Sequence, residues 1–173
     1  MMAEIDEEYD ISDAVTSLGK LLRYSMKWVS GNVLVEQELE YIKNYMALIN
    51  LRFDYEIYLS LNLPEIILQQ EIPKMSLQPI VENAIYHGLD RMVDEGRILI
   101  RIYSEGEDVV FRVEDNGVGM SEEQCRSILH KEPGDNSGIG IKNVNDRIKI
   151  YFGKEYGLSI ESELDEGTTV IIR

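Results

Sequence analysis

Cysteine occurs once in this chain, at Cys125, so no disulfide within the chain can hold its fold. The clustered thiol and imidazole spacing of a zinc site is also missing, because the two histidines, His87 and His130, have no second cysteine to join them. A lone thiol in a polar helical stretch suits a reducing compartment and reads as a spectator. Basic residues are scarce: 17 Lys and Arg stand against 32 Asp and Glu, a formal net charge of −15. Nucleic-acid binding needs clustered cations that release counterions, so that partner class is excluded. A polyanionic small molecule is not excluded, since charges beyond about 8 Å are largely screened at physiological salt. Backbone N–H groups and a metal ion can dominate inside a pocket. No apolar run approaches the ~18 residues of a membrane span. What is present suffices for a core: 44% of the 173 residues are hydrophobic, enough for one domain with a helical appendage.

Periodicity divides the chain. Val15, Leu18, Leu22, Met26 and Val29 predict a helix over 12–29, with Ser12 as its cap. Leu39, Ile42, Met46, Ile49 and Phe53 predict a second helix, and such stripes are core faces. Tyr55, Ile57, Leu59 and Leu61 alternate with polar residues as in a half-buried strand, and 64–73 reads as a connection. Ser76 is placed to cap a third helix with Pro79 in its first turn. The flank of that helix carries Asn83 and His87 one turn apart. Two strands over 97–104 and 108–115 meet at Glu105-Gly106-Glu107. Ser121-Glu122-Glu123-Gln124 is a capping box, and a polar, glycine-bearing run follows to Ser137. A helix through Ile141, Val144, Ile148 and Phe152 leads to a closing hairpin over 158–163 and 168–173. The expected fold class is α+β, with a mixed sheet of about five strands, three or so helices on one face and a helix before it.

Three blocks stand out in this order: Glu82-Asn83-Ala84-Ile85-Tyr86-His87-Gly88, Asp115-Asn116-Gly117-Val118-Gly119-Met120, and Ser137-Gly138-Ile139-Gly140-Ile141. Each alone reads as a helix end or a turn. Asp-Asn-Gly is a turn sequence, and glycines join elements. An ordered set of three points instead to one nucleotide site, with glycines for close backbone approach and a helix start for phosphate.

The blocks resemble the N, G1 and G2 boxes of the Bergerat-fold ATPases: histidine kinases, gyrase B-type topoisomerases, Hsp90-type chaperones and mismatch-repair ATPases. Gly167-Thr168-Thr169 resembles the later Gly-Thr element of that fold. Leu21-Leu22-Arg23-Tyr24-Ser25, Glu36-Gln37-Glu38-Leu39, Leu51-Arg52-Phe53 and Gln78-Pro79-Ile80-Val81-Glu82-Asn83-Ala84 resemble the LytS/YesM-type sensor histidine kinases. The resemblance covers nearly the whole chain from about residue 18 and implies a Bergerat-type two-layer sandwich.

It further implies ATP and Mg²⁺ as cofactors. Residues 1–32 would be the remainder of a dimerisation-helix region, and 33–173 the ATP-binding catalytic domain. Asp115 would read the adenine amine, with Gly117 and Gly119 passing beside the base. Asn83 would hold Mg²⁺ and be catalytic, with Glu82 as an orienting base. Gly138, Ile139, Gly140, Ile141, Lys142 and Thr168 would line the phosphate side, His87 would edge the pocket, and 121–137 would form a lid. The subgroup has lysine where Tyr86 stands, so Lys142 or Arg91 would supply that phosphate contact. The Pro-His-Phe phosphoacceptor element of the subgroup does not occur in the chain, so the acceptor histidine would lie outside it. Implied partners are ATP, the acceptor helix of the same protein or its dimer partner, and a response regulator, in a homodimeric, membrane-anchored bacterial sensor with this domain in the cytoplasm. The alternatives are an anti-sigma-type serine kinase, a conformational ATPase and a degenerate module that signals by contact alone.

Overall fold

The computed structural model describes residues 14–24, 31–51, 56–89, 95–130 and 139–173. Helix α1 (14–24) precedes a short strand β1 (Asn32–Leu34) and helix α2 (Val35–Asn50). Strand β2 (Ile57–Asn62), a 3₁₀ turn (Glu65–Gln69) and β3 (Glu71–Pro73) lead to α3 (Gln78–Asn83). Helix α3 widens without a break into a π turn, Ala84–Leu89. The chain continues through β4 (Gly96–Glu105), β5 (Asp108–Asp115), α4 (Glu122–His130), α5 (Ile139–Phe152), β6 (Leu158–Glu163) and β7 (Gly167–Ile172).

Alternation in the strands makes one sheet of order β2-β4-β5-β7-β6, with β2 parallel to β4 and the other pairs antiparallel. On its inner face Ile98, Ile100 and Ile102 of β4 line up with Phe111 and Val113 of β5 and Val170 and Ile172 of β7, all buried. Helices α2, α3 and α5 cover that face with Leu39, Ile42, Met46, Leu77, Ile80, Val81, Ile141, Val144 and Ile148. The outer face is polar. There Glu114 pairs with Arg112 at 2.9 Å and Arg101 at 3.4 Å. One covered and one solvated face is the ordinary pattern of a largely antiparallel sheet, and it gives two layers. The expected α+β class and five-strand mixed sheet are what the structure has.

Several expectations need correction. The 64–73 connection contains β3, which pairs antiparallel with β1 in the register Asn32↔Pro73 to Leu34↔Glu71. Three-residue strands carry no legible alternation. The second helix stops at Asn50, whose side chain clamps Ile57 through two 3.0 Å bonds, one accepted from its N–H and one donated to its C=O. Ser76 does not cap α3; its hydroxyl donates to Pro73 O at 2.6 Å. The cap comes from α2, where Glu38 is only 1% exposed. Its carboxylate accepts the N–H of Leu77 at 3.1 Å, the N–H of Met75 and the hydroxyl of Tyr24. Phe152, on the apolar row that runs through Ile141, Val144 and Ile148, is about half exposed at the end of α5. Ser12, Met26, Val29, Phe53 and Tyr55 lie outside the described residues. Among the described residues no helix is long and apolar enough to cross a membrane.

The inner face of β4 carries the packing. Ile100→Ala should therefore lower the unfolding free energy by about 2–5 kcal/mol. Ile150→Ala, at a position 81% exposed, should change it by under about 0.5 kcal/mol in the same urea titration.

Candidate functional site

Asp115 closes the inward row Phe111, Val113, Asp115 of β5 and stands opposite Thr168 in the register. The strand thus carries a carboxylate to the rim of the apolar layer. That carboxylate accepts backbone N–H bonds from Gly117, at 2.9 Å, and from Thr168. Burial outweighs both and pushes its acid up to about 6. A carboxylate so placed has little water around it and binds strongly to a partner that donates.

Glycines let three backbone segments meet at this point. A Cβ on Gly117 would stand 2.5 Å from the backbone of Gly88 at the end of the π turn, and Val118 N–H donates to Gly88 O at 3.0 Å. Gly119, at φ +64°, has no room for a side chain, since its Cβ would meet Glu163 O at 1.8 Å. A Cβ on Gly167, at φ +108°, would meet Asp115 O at 2.1 Å. The hairpin is tied back by Asp165 N–H to Val118 O at 2.8 Å and Met120 N–H to Ser162 Oγ at 2.8 Å. Ser162 Oγ in turn lies 3.0 Å from Thr168 Oγ1. The glycines were expected to pass beside a base; in the structure their close approaches are to the protein's own backbone. Gly88 and Ser162 were missed as site-forming residues, although Gly88 closes the first block. A Cβ there would reach to 2.9 Å of Asp115 Oδ1.

Asn83 ends α3, half-buried, and its side-chain amide has no hydrogen bond among the described residues. His87 and Tyr86 are exposed on the π turn. A π turn inside a helix is often found at functional sites. Glu82 is turned to the other side, where it accepts from Gln78 Nε2 at 2.7 Å. There it faces Tyr41 and Tyr45 of α2. Burial first, then the charges of Glu82 and Glu38, push the Tyr41 hydroxyl up to about 12. Tyr45 donates to the Tyr86 hydroxyl at 3.3 Å, so the residue standing in the lysine position is drawn towards α2.

Helix α5 brings its first turn against α3, because Gly140 lacks a Cβ that would lie 3.1 Å from Pro79 Cβ. Ile141 is buried in that contact, while Lys142 Nζ pairs with Asp146 at 3.1 Å. The free N–H groups at the start of α5 thereby lie beside the helix that carries Asn83. Ile139 opens α5, whereas Gly138, Arg91 and 131–138 lie outside the described residues. The first half of the expected lid is helix α4, started by the capping box: Ser121 N–H donates to Gln124 Oε1 at 2.9 Å, and Gln124 N–H to Ser121 Oγ at 3.4 Å. Ile128 and Leu129 pack this helix on the core. The thiol of Cys125, on α4, is pushed up chiefly by burial, which disfavours its thiolate.

Among the described residues no three His, Cys, Asp or Glu side chains gather to hold a metal. A divalent ion here would find one neutral oxygen, that of Asn83, and would take its other ligands from phosphate and water. That donor set fits Mg²⁺, a hard cation that keeps several waters. A cavity of about 470 Å³ lies elsewhere, between α1 and α2, with Lys20, Tyr24, Gln37, Tyr41 and Lys74 among its walls.

Comparison with known proteins adds the family. A model of the histidine kinase-, DNA gyrase B-, and HSP90-like ATPases matches residues 73–173, and a histidine kinase model matches residues 1–57. Sensor histidine kinase YesM of Bacillus subtilis is 34% identical over 171 residues, 99% of this chain and 29% of its own length. Sensor histidine kinase BtsS of Escherichia coli is 32% identical over 162 residues, 94% of this chain and 27% of its own. The chain thus spans under a third of the curated relatives it matches. Among solved structures, the histidine kinase domain of the Erythrobacter litoralis EL346 blue-light activated histidine kinase superposes with a TM-score of 0.59. It shares 17% identity, with 94% of this chain and 73% of that one covered, a likeness of fold.

The raised acid of Asp115 has a definite sign for stability. The folded chain holds this proton more tightly than the unfolded one. The resulting stabilisation is whole below the ordinary value of 3.8 and is lost as pH rises through about 6. Replacing the group by a neutral isostere removes that loss. Relative to the parent, Asp115→Asn should therefore gain up to about 3 kcal/mol of unfolding free energy between pH 4 and pH 7. Parallel urea titrations of the two chains would show it; a difference independent of pH would mean Asp115 titrates normally.

Proposed function

We infer that this chain, which belongs to the histidine kinase-, DNA gyrase B-, and HSP90-like ATPase family, is the ATP-binding catalytic part of a sensor histidine kinase. Residues 33–173 form the nucleotide-binding domain and 1–32 the remainder of a dimerisation-helix region. The observation that carries the reading is the largely buried carboxylate of Asp115, held by Gly117 and Thr168 N–H groups on a floor of touching backbones. Such a group is matched to an exocyclic amine. The amide of Asn83 on the adjoining helix, without a hydrogen bond among the described residues, supports a role at the phosphate end.

Asp115 accepts the adenine amine, and Gly117 and Gly119 keep the floor below the base rigid. The N–H groups of the first turn of α5, Ile139, Gly140 and Ile141, meet phosphate oxygens together with Gly138 of the same block, where the positive end of the helix favours negative charge. Lys142 lies one step further along α5 and Thr168 beside the carboxylate, and His87 edges the opening. Asn83 offers its oxygen to Mg²⁺, which when bound neutralises charge on the phosphates. Glu82, engaged by Gln78 on the far flank, orients the helix rather than a nucleophile. Catalysis is then positioning: ATP is held so that its γ-phosphoryl faces a histidine approaching in line from a separate helix.

That histidine is supplied from outside the chain, by the same full-length protein or its partner in a homodimer. The phosphoryl group passes on to an aspartate of a response regulator. The full-length protein is a membrane-anchored bacterial sensor that presents this domain to the cytoplasm. The helical segment α1 and the second helix favour this reading over an anti-sigma-type serine kinase.

Two outcomes test it. Calorimetry should show Mg-ATP binding in the micromolar-to-millimolar range, about −8 to −4 kcal/mol. Affinity should drop as pH falls through about 6 in the parent, because a protonated Asp115 no longer accepts from the amine, and Asp115→Asn should bind weakly at every pH. No binding at millimolar Mg-ATP defeats the proposal. Radiolabelled ATP should leave the chain itself unlabelled and label a helix carrying a histidine added in trans; acid-labile label on His87 or His130 would place the acceptor within the chain instead.

A further inference from the structure

We propose that Glu38 is a positioning residue for phosphoryl transfer, its buried carboxylate locking the start of the Asn83 helix to the end of α1. The proposal rests on the nucleotide-binding reading above and adds a route by which the upstream helix governs the phosphate end of the site.

The geometry is unusual for an acidic side chain. Glu38 is 1% exposed on α2, yet its three described hydrogen-bond donors come from other elements. Its Oε1 accepts the Tyr24 hydroxyl from the last described residue of α1 and the Met75 N–H. Its Oε2 accepts the Leu77 N–H, directly before α3. Both oxygens are therefore committed, and the negative charge sits at the positive end of a helix, where it is favoured. Burial, then the charge of Glu38, pushes the Tyr24 hydroxyl far up, so it stays a donor at any physiological pH. The segment between the two N–H groups is strained and gripped from further sides. Met75 takes φ +61°, Arg147 Nη2 of α5 donates to Met75 O at 2.8 Å, and Lys74 Nζ donates to Tyr24 O at 2.7 Å. Lys74 also lies 4.7 Å above the Tyr24 ring.

Among the described residues α1 is held as well by two buried side chains and by Lys20 Nζ, 4.0 Å from Glu40 Oε1 on α2. Ser17 and Leu21 are its buried residues, while Val15, Leu18 and Leu22 are largely exposed. Tyr24 is the residue of α1 that bonds to Glu38 and to Lys74, so a shift of α1 is passed towards α3 at Tyr24. From there it reaches Glu38 and the backbone of 75–77, and α3 is too short to absorb it before Asn83. Coupling of this kind is reciprocal: a ligand that fixes Asn83 must also fix α1.

Amide exchange by mass spectrometry, on the chain with and without Mg-ATP, separates the possibilities. Tyr24→Phe keeps the ring against Tyr41 and under Lys74 and removes only the hydroxyl; Glu38→Gln exchanges one accepting oxygen for a donor. Without nucleotide, Tyr24→Phe should speed exchange at Met75, Leu77 and the amides up to Asn83 by about tenfold, with β4 and β5 at parental rates. Mg-ATP should slow exchange in α1 of the parent and not in either variant. Its affinity should fall about tenfold in Tyr24→Phe, while ATP in EDTA binds as before. Unchanged exchange along α3 in Tyr24→Phe overturns the proposal, as does a rise spread over β4 and β5, which is plain loss of stability. If Glu38→Gln does not fold, Tyr24→Phe alone decides. A parent that binds no Mg-ATP defeats the nucleotide reading and with it the purpose of the lock, whereas the nucleotide-free exchange still decides whether the lock exists.

Discussion

Everything around Asp115 depends on backbones touching where side chains would normally keep them apart. The end of the π turn, the segment after β5 and the β6–β7 hairpin meet within a few ångströms, and Gly88, Gly117, Gly119 and Gly167 are the residues that permit it. Two of these take positive φ, which a residue with a Cβ adopts only under strain. The consequence is electrostatic as much as steric. Backbone packed on backbone excludes water and leaves the carboxylate two N–H groups in its place, an incomplete substitute. The acid rises because the fold keeps the group under-solvated. A site that stabilises itself less than it could is a site reserved for something else to complete.

The opposite economy operates at Glu38. There too a carboxylate is buried, but three donors satisfy it, and nothing remains for a ligand. The two acids show how the same side chain becomes either a recognition group or a structural one according to whether its lone pairs are spent. The tyrosines of α2 make the boundary between these regions. Tyr41 stacks with Tyr45 and leans on Tyr24, and Tyr45 reaches Tyr86, so a row of rings runs from α1 to the π turn.

Much of the architecture was legible in the sequence because it rests on local pattern. Alternation in 97–104 and 108–115 marks β4 and β5, the Ser121–Gln124 box marks the start of α4, and Gly106 and Asp165, both in left-handed conformation, mark hairpin turns. The order of the three glycine-bearing blocks pointed to the family that the comparisons show. What stayed hidden depends on partners distant in sequence. β1 and β3 are too short for a period, and the π turn keeps the same apolar residues as an α-helix would. Ser76 looked like a cap because serine so often is one; Glu38, remote in the sequence, supplies the acceptor instead. Sequence also could not show that the glycines approach the protein's own chain, since a glycine serves a ligand and a neighbour equally well.

The parallel pairing of β2 with β4 bears on how the molecule assembles. In the main sheet β4–β5 and β6–β7 are hairpins, β5 reaches β7 across α4, α5 and β6, and β2 reaches β4 only after the 3₁₀ turn, β3, α3 and the π turn. Closing so long a loop is entropically expensive until the intervening helix has packed. The sheet edge and the helix carrying Asn83 therefore form together in time. A chain emerging from the ribosome cannot complete the β2–β4 pair before that helix exists, so it acquires this edge of the core and the helix carrying Asn83 together.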